Sequence, residues 1–293
     1  MKCNNFMTVT YDDVTKAQET QSKIIRKTSL EFSETFSKIC GAKVYLKNEY
    51  EQKTGSFKIR GAYYKIKSLT NEEKSKGVVA ASAGNHSQGV AFASHIENIP
   101  CTIVMPKTAS PAKVSATKGY GANVVLEGST YDESWAHAQK IASETNATII
   151  HAFDDSHVIA GQGVIGLEIL DQLPDVDEIY VPIGGGGLVA GILTAVKEKN
   201  PNIKIIGVES SAYPAMKKSV ETNSLETVGG DTTIADGISV KTPGKLTFDI
   251  VRQKIDEIDT LVSKGGDLLH SNDECAVIDV RKDGNIIIRL LQT

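Results

Sequence analysis

EIYVPIGGGGLVAGILTAVKEKNPNIKIIGVES, residues 178–210, is the stretch on which the fold turns. EIYVPIG (178–184) is a short β-branched apolar run that ends at Gly184, and LVAGILTAVKE then carries apolar residues three and four apart, the helical period. KIIGVES (204–210) opens a second short apolar run. Strand, glycine turn, helix and strand in that order form a βαβ unit, whose two strands pair in parallel because the helix returns the chain to the starting edge.

The same alternation extends through the chain. KVYLKNE (43–49), GVVAAS (77–82), CTIVMP (101–106), NVVLEG (123–128) and TIIHAF (148–153) read as further strands. Segments of helical spacing lie between them, among them FKIRGAYYKIKSL, NHSQGVAFASHIEN, YDESWAHAQKIASETN and GQGVIGLEILDQL. The fold class is therefore α/β, with helices on both faces of parallel sheet and ligands expected beyond the carboxyl ends of the strands. No Gly/Ser-rich or Pro-rich linker divides the chain and no repeat or low-complexity segment occurs. A second domain must then be interleaved: residues 69–147 are expected as a small α/β domain inserted into a large one built from 1–68 and 148–293.

Composition narrows the class of function. With 293 residues, 40% of them hydrophobic, the chain can bury a substantial core, and a net charge of −4 with mixed signs offers no basic stripe for nucleic acid. No run of 18 apolar residues occurs and MKCNNFMTVTYDD contains no apolar signal segment, so a cytoplasmic protein that neither crosses nor binds a membrane is expected. Cys3, Cys40, Cys101 and Cys275 lie far apart without a CxxC pair, which indicates neither a zinc site nor a disulfide framework. His95, His137, His151, His157 and His270 have no metal-like spacing and read as structural or surface residues.

Three motifs carry chemistry. Gly184, Gly185, Gly186 and Gly187, between a strand and a helix, would bring backbone N–H groups and a helix N-terminus onto a phosphate. Gly185, Gly187 and Ala190 also satisfy GxGxxA, with Glu209 at the spacing of a ribose-binding acid, so a dinucleotide, another phosphate, and tight packing of helix on sheet all stand as readings of this segment. Ser82-Ala83-Gly84-Asn85-His86 ends one strand and starts a helix, the place for a carboxylate or for an ordinary N-cap. Lys58, in GSFKIRGA (55–62), reads alone as a solvated helix lysine. Taken together, a reactive lysine, a polar glycine turn and a phosphate cradle point to covalently held pyridoxal 5'-phosphate.

These stretches, KTGSFKIRGA, SAGNHSQGVA and GGGGL, resemble the threonine dehydratase (threonine ammonia-lyase) and serine racemase family of fold-type II pyridoxal-phosphate enzymes. YDESWAHAQKIA, HAFDDSHVIAGQGVIGLEIL and TTIADGISVKTPGKLTFDIV extend the resemblance from about Ile24 to Ser263. It implies a tryptophan synthase β-like fold with two interleaved parallel-sheet α/β domains. Lys58 would bind the cofactor covalently, Phe57 would pack beside its ring, Asn85 would hydrogen-bond its ring hydroxyl, and Gly184 to Gly187 with Leu188 would hold its phosphate. Ser82, Gly84, Asn85 and His86 would supply donors to the carboxylate of a small amino acid. The implied reactions are threonine to 2-oxobutanoate and serine to pyruvate, each with release of ammonia, in a homo-oligomer, a dimer or a tetramer. Racemases of the family carry a serine after the residue matching Ser82, where this chain has Ala83, so dehydration is expected over racemisation.

Two departures set further expectations. Some relatives bind a divalent ion through a glutamate matching Glu209, but SSAYPAM follows it here without an acid, so no metal is expected and Glu209 is read as a solvated or helix-capping strand-end acid. After Ser263 the resemblance ends: KDGN at Lys282 to Asn285 stands where the family's SGGN meets the pyridine nitrogen, and Cys275 is an alternative partner. That altered end (264–293) keeps open a paralogue that retains the fold with impaired or no catalysis.

Overall fold

The computed structural model describes residues 9–231, 233 and 235–261, and the backbone of 286 and 287. Along the chain come α1 (Tyr11–Gln21), β1 (Leu30–Phe32), α2 (Glu34–Cys40), β2 (Val44–Lys47), α3 (Lys58–Ser68), α4 (Asn71–Lys76), β3 (Val78–Ala81) and α5 (Asn85–Ile96). There follow β4 (Cys101–Met105), α6 (Pro111–Gly119), β5 (Asn123–Leu126), α7 (Tyr131–Thr145), β6 (Thr148–Ile149), α8 (Ser156–Gln172) and β7 (Glu178–Pro182). The last elements are α9 (Gly187–Lys199), β8 (Lys204–Ser210), α10 (Ala215–Thr222), α11 (Lys245–Lys254), β9 (Glu257–Leu261) and β10 (Ile286–Ile287).

Two sheets result. The larger has the order β1-β2-β10-β7-β8-β9 and the smaller β5-β4-β3-β6. All neighbouring pairs are parallel except β1 with β2. The α/β class with parallel sheets expected from the alternation is therefore the one observed. Three strands escaped the sequence reading: LEF and EIDTL, β1 and β9, are short, and an acid sits inside each, which hides the apolar run that marks a buried strand, while β10 is only two residues long. A further difference matters more. TIIHAF was expected as one strand, but β6 stops at Ile149, because the His151 ring captures backbone N–H groups further along, as described below. No helix of the described residues is long and apolar enough to cross a membrane.

Each sheet has its own apolar cluster, one around Ile179, Val181, Leu193 and Ile205 and the other around Val78, Ala80, Ile103 and Met105. Helix α3 belongs to both surroundings. Ile59, Ala62, Tyr63 and Ile66 join the cluster of the smaller sheet, while the opposite side of the helix meets α8. That second helix is buried at every position from Val158 to Ile169, as a helix enclosed by others must be.

Glycines allow this enclosure. A Cβ on Gly161 would lie 2.7 Å from the Cα of Gly61, so α8 and α3 cross backbone to backbone. One on Gly191 would lie 2.4 Å from the Ile159 carbonyl oxygen, where α9 crosses α8. The crossings are also tied by polar groups: the Gln21 amide donates to the carbonyls of Arg60 (2.9 Å) and Gly161 (3.0 Å), and the Gln162 side chain accepts from Gly61 N at 3.2 Å. The GQG triplet of α8 thus seats α3 and α9 on its two sides.

Gly191→Ala must push two helices apart against backbone atoms that cannot rotate away, and a loss of about 1–3 kcal/mol is expected in urea denaturation. Gly119→Ala, which meets nothing within 4 Å, should be neutral or stabilising by up to about 1 kcal/mol in the same assay.

Candidate active site

The chemistry-bearing residues gather at the carboxyl ends of the parallel strands. Ser82 to Gly84 follow β3, and Asn85 opens α5 with Gly84 as its N-cap. Gly84 N donates to Ser82 Oγ at 3.1 Å, and Ser87 Oγ donates to Gly84 O at 2.5 Å, which closes the turn. Gly184 to Gly187 follow β7 in the same way and lead into α9, Gly186 adopting φ 93° in the left-handed region as only glycine does readily. Neither helix has an acidic residue in its first turn, and the first N–H groups of a helix have no intrahelical acceptor. Both ends therefore present free donors and a positive dipole end to an anion.

Lys58 is the first residue of α3. Its Nζ donates to Ala152 O at 3.1 Å and lies 5.3 Å from the centroid of the Phe57 ring. Withdrawal of the amine from water lowers its pKa to about 8, and its place at a helix N-terminus acts in the same direction. Helix α5 backs directly onto it, a Cβ on Gly89 lying 3.1 Å from the Lys58 carbonyl carbon.

His86 is 3% exposed, and its Nε2 pairs with Ile150 O at 2.9 Å. Burial first, and the neighbouring Lys58 second, push its pKa down to about 3. A neutral imidazole facing a carbonyl must donate there, so Nδ1 carries no proton, and it has no partner among the described residues. The ring accordingly has no donor to spare for a carboxylate, leaving the backbone N–H of His86 for that task.

The segment from Ile150 to Asp155 was not read as part of the site, yet it joins all three turns. Ile150 O receives His86 and Ala152 O receives Lys58. The Phe153 ring fills the space beside the glycine turn, where a Cβ on Gly185 would lie 2.3 Å from it. The Asp154 carboxylate accepts from Lys245 N (3.0 Å), Leu246 N (2.9 Å) and Thr247 N (3.3 Å), and Thr247 Oγ1 donates to Gly185 O at 2.6 Å. Asp155 caps α8 and pairs with Lys65 of α3 at 2.7 Å. A run of small and polar residues after a short strand gave little signal beyond HAFDD itself.

Behind Lys58 lies a buried ionic quartet. Arg60, fully buried, makes two 2.7 Å bonds to Glu49 and bonds of 2.7 and 2.9 Å to Glu168. Lys47 Nζ donates to Glu168 at 2.6 Å, to Gln172 at 2.9 Å and to Thr28 O at 2.9 Å. Two cations and two anions leave the cluster neutral, which is what permits its burial.

Glu209 is likewise buried, at the end of β8, and accepts from Met216 N (2.9 Å) and Lys217 N (2.8 Å) at the start of α10. It is the helix-capping acid of the two sequence readings. Burial raises its pKa to about 7 although the two backbone bonds oppose the shift. Among the described residues no cluster of three or more His, Cys, Asp or Glu could hold a metal ion. Cys40 and Cys101 are buried free thiols, whereas Cys275 and Lys282, the candidate partners of the pyridine nitrogen, fall outside the described residues, as does Cys3.

With this geometry in place the comparison with known proteins is direct: residues 21–264 match the family described as pyridoxal-phosphate dependent enzyme. The chain belongs to that family. An L-threonine ammonia-lyase of Thermotoga maritima is 50% identical over 250 residues, 85% of this chain and 62% of the relative. The chain thus spans less than two thirds of that relative's length. Among solved structures, processed threonine deaminase isoform 2 of Solanum lycopersicum superposes with TM-score 0.83 at 38% identity, covering 86% of this chain and 70% of that one. Maize serine racemase gives TM-score 0.85 at 34% identity, covering 87% and 77%. The family and the fold-type II architecture expected from the motifs are both borne out.

Two measurements follow from the buried acids. Glu168→Gln leaves two buried cations short of a partner and should cost about 3–5 kcal/mol in urea denaturation. Glu209 binds its proton more tightly folded than unfolded, so its contribution to stability should fall as pH rises from its unfolded value of about 4.5 through about 7. A denaturation series across that window should show the slope, and Glu209→Gln should flatten it.

Proposed function

We propose that this chain is a pyridoxal-phosphate-dependent ammonia-lyase converting L-threonine to 2-oxobutanoate and ammonia, and L-serine to pyruvate and ammonia. The observation that carries the reading is Lys58: a desolvated amine with a pKa of about 8, held on Ala152 O between two anion-receptive helix ends. The relatives named L-threonine ammonia-lyase support the substrate, and Ala83, which offers no hydroxyl after Ser82, favours elimination over racemisation.

The residues present fit the family's cofactor. The N–H groups of Gly184 to Leu188 and the start of α9 would hold its phosphate, because the glycines carry no side chain of their own over these N–H groups and no acid lies in the first turn. Phe57 would flank its ring and Asn85 would meet the ring hydroxyl. Once bound, the cofactor supplies an electron sink for charge developing at the substrate α-carbon. Lys58 Nζ, whose pKa of about 8 leaves a usable fraction of free amine near neutral pH, takes the α-proton as a general base, a role worth roughly 100- to 10,000-fold. Ser82, Gly84, Asn85 and the backbone N–H of His86 orient the substrate carboxylate at the end of α5. The burial of Lys58 and His86 keeps water from solvating either group, which preserves the free base.

Residues 69–147 as a separate domain and a homo-oligomeric cytoplasmic enzyme complete the proposal; the first is supported by the separate sheet, three of whose four strands lie within that range while β6 (Thr148–Ile149) falls just beyond it, and light scattering tests the second. Purified protein given the cofactor should show the visible band of a lysine-bound pyridoxal and release 2-oxobutanoate from L-threonine. Lys58→Ala should lose the band and lower turnover by at least about 100-fold. A band in the wild type without any keto acid would instead identify a non-catalytic paralogue.

A further inference from the structure

We propose that His151 is a positioning residue: an unprotonated Nδ1 shapes the backbone turn that presents Ala152 O to Lys58, and protonation of this ring disables the site on the acid side. The proposal rests on the lyase reading of the Lys58 centre. Nδ1 accepts from Phe153 N at 3.2 Å and from Asp154 N at 2.8 Å. These are the groups two and three residues ahead, the pattern by which Asn and Asp side chains build local turns. Here an imidazole performs it, and only with a bare nitrogen, since two N–H donors face that atom.

The turn has consequences on three sides. Between the two captured N–H groups and the ring lies Ala152, whose carbonyl holds the Lys58 amine. Phe153 is aimed at Gly185 and Gly187, and Asp154 at the start of α11, whose Thr247 holds Gly185 O. A proton on Nδ1 would oppose both N–H groups, and the released turn would carry Ala152 O and the Phe153 ring with it.

The surroundings keep that proton off. Burial is the leading cause that lowers the His151 pKa, opposed by Asp154 and Asp155 of its own segment and assisted by Lys58 of α3. His86 of α5 also feels its charge. From α7 comes Trp135, edge-on at 5.2 Å and 81°, while Phe153 lies edge-on at 4.7 Å and 90°. The ring is thus clamped between two uncharged aromatics, with its acceptor atom committed to the backbone.

Trp135 is the only tryptophan of the chain and supplies a reporter that needs no turnover, because an imidazolium in contact with indole quenches its emission. In cofactor-free protein, emission should rise with pH through a single midpoint below the ordinary histidine value of about 6.5, and His151→Asn should abolish the titration. In cofactor-loaded protein, cofactor affinity and turnover should both fall on the acid side at that midpoint. His151→Phe, which keeps the aromatic bulk without an acceptor, should lose roughly 10- to 100-fold in cofactor affinity at about pH 8. His151→Asn should rescue that loss and remove the step at the His151 midpoint, leaving only the limb set by Lys58 at about 8, since its amide oxygen accepts the same two N–H groups and does not titrate.

Emission insensitive to pH, or a fall in cofactor affinity at the emission midpoint that is equal in wild type and His151→Asn, overturns the assignment. Titrating emission and pH-dependent cofactor affinity without any keto acid uphold His151 and overturn the lyase reading instead.

Discussion

The buried guanidinium of Arg60 is the constraint on which the site is built. A charge withdrawn wholly from water is tolerable only with its donors satisfied, and Glu49 and Glu168 satisfy four of its bonds from two different directions. Glu49 follows β2 and Glu168 lies on α8, so Arg60 can be neutralised only where α3 enters between them. Lys58 stands two residues earlier on the same turn of helix. The quartet therefore fixes the position of the Lys58 amine without touching it, and the Gly61–Gly161 crossing next to it fixes how deep α3 can sit.

What holds the other side of the amine is a piece of irregular chain. A regular strand from Thr148 to Phe153 would spend its carbonyls on a neighbouring strand. Ending β6 at Ile149 frees the carbonyls of Ile150 and Ala152 for His86 and Lys58. The backbone groups lost to the sheet are then made good by the His151 ring and by the Asp154 and Asp155 carboxylates, which cap the turn and two helices. Local irregularity of this kind requires polar side chains at closely set positions, which accounts for a run as polar as HAFDDSH inside an otherwise apolar core.

The sequence made the parallel architecture legible because its signals are local. EIYVPIGGGGLVAGIL changes period from strand to helix across four glycines, and any chain with that pattern repeated must fold as βα units. Lys58, SAGNH and the glycine turn were found for the same reason: each is a short motif whose residue types have few other uses in combination. His151 and Arg60 were not legible as parts of the site. Histidine was weighed for metal spacing, whereas its use as a turn-forming acceptor leaves no spacing at all. Arg60 reads as an ordinary helix residue until Glu168, more than a hundred positions away, is brought against it. Pairings of that kind depend on how helices cross, and the crossing was hidden in glycines whose only visible property was the absence of a side chain. Glu209 was legible in part: the sequence allowed a solvated or a helix-capping acid, and the structure buries it as the cap of α10.

The charge pattern explains why, among the described residues, the cations placed around Lys58 are not free for the anions the site would hold. Arg60 and Lys47 are consumed by the quartet, Lys65 by Asp155, and His86 stays neutral at any physiological pH. In the proposed reaction Lys58 must itself spend time unprotonated to act as a base. A neighbouring permanent cation would depress its pKa further and would compete with it for the phosphate, while an acid would raise it and repel the same group. Backbone N–H groups at the ends of α5 and α9 avoid both effects: they attract anions through a fixed partial charge that never titrates and cannot exchange protons with the amine. In the proposed reaction, confining anion binding to the backbone would leave Lys58 as the group that moves a proton, a division of labour that would favour glycine over arginine in the turn after β7.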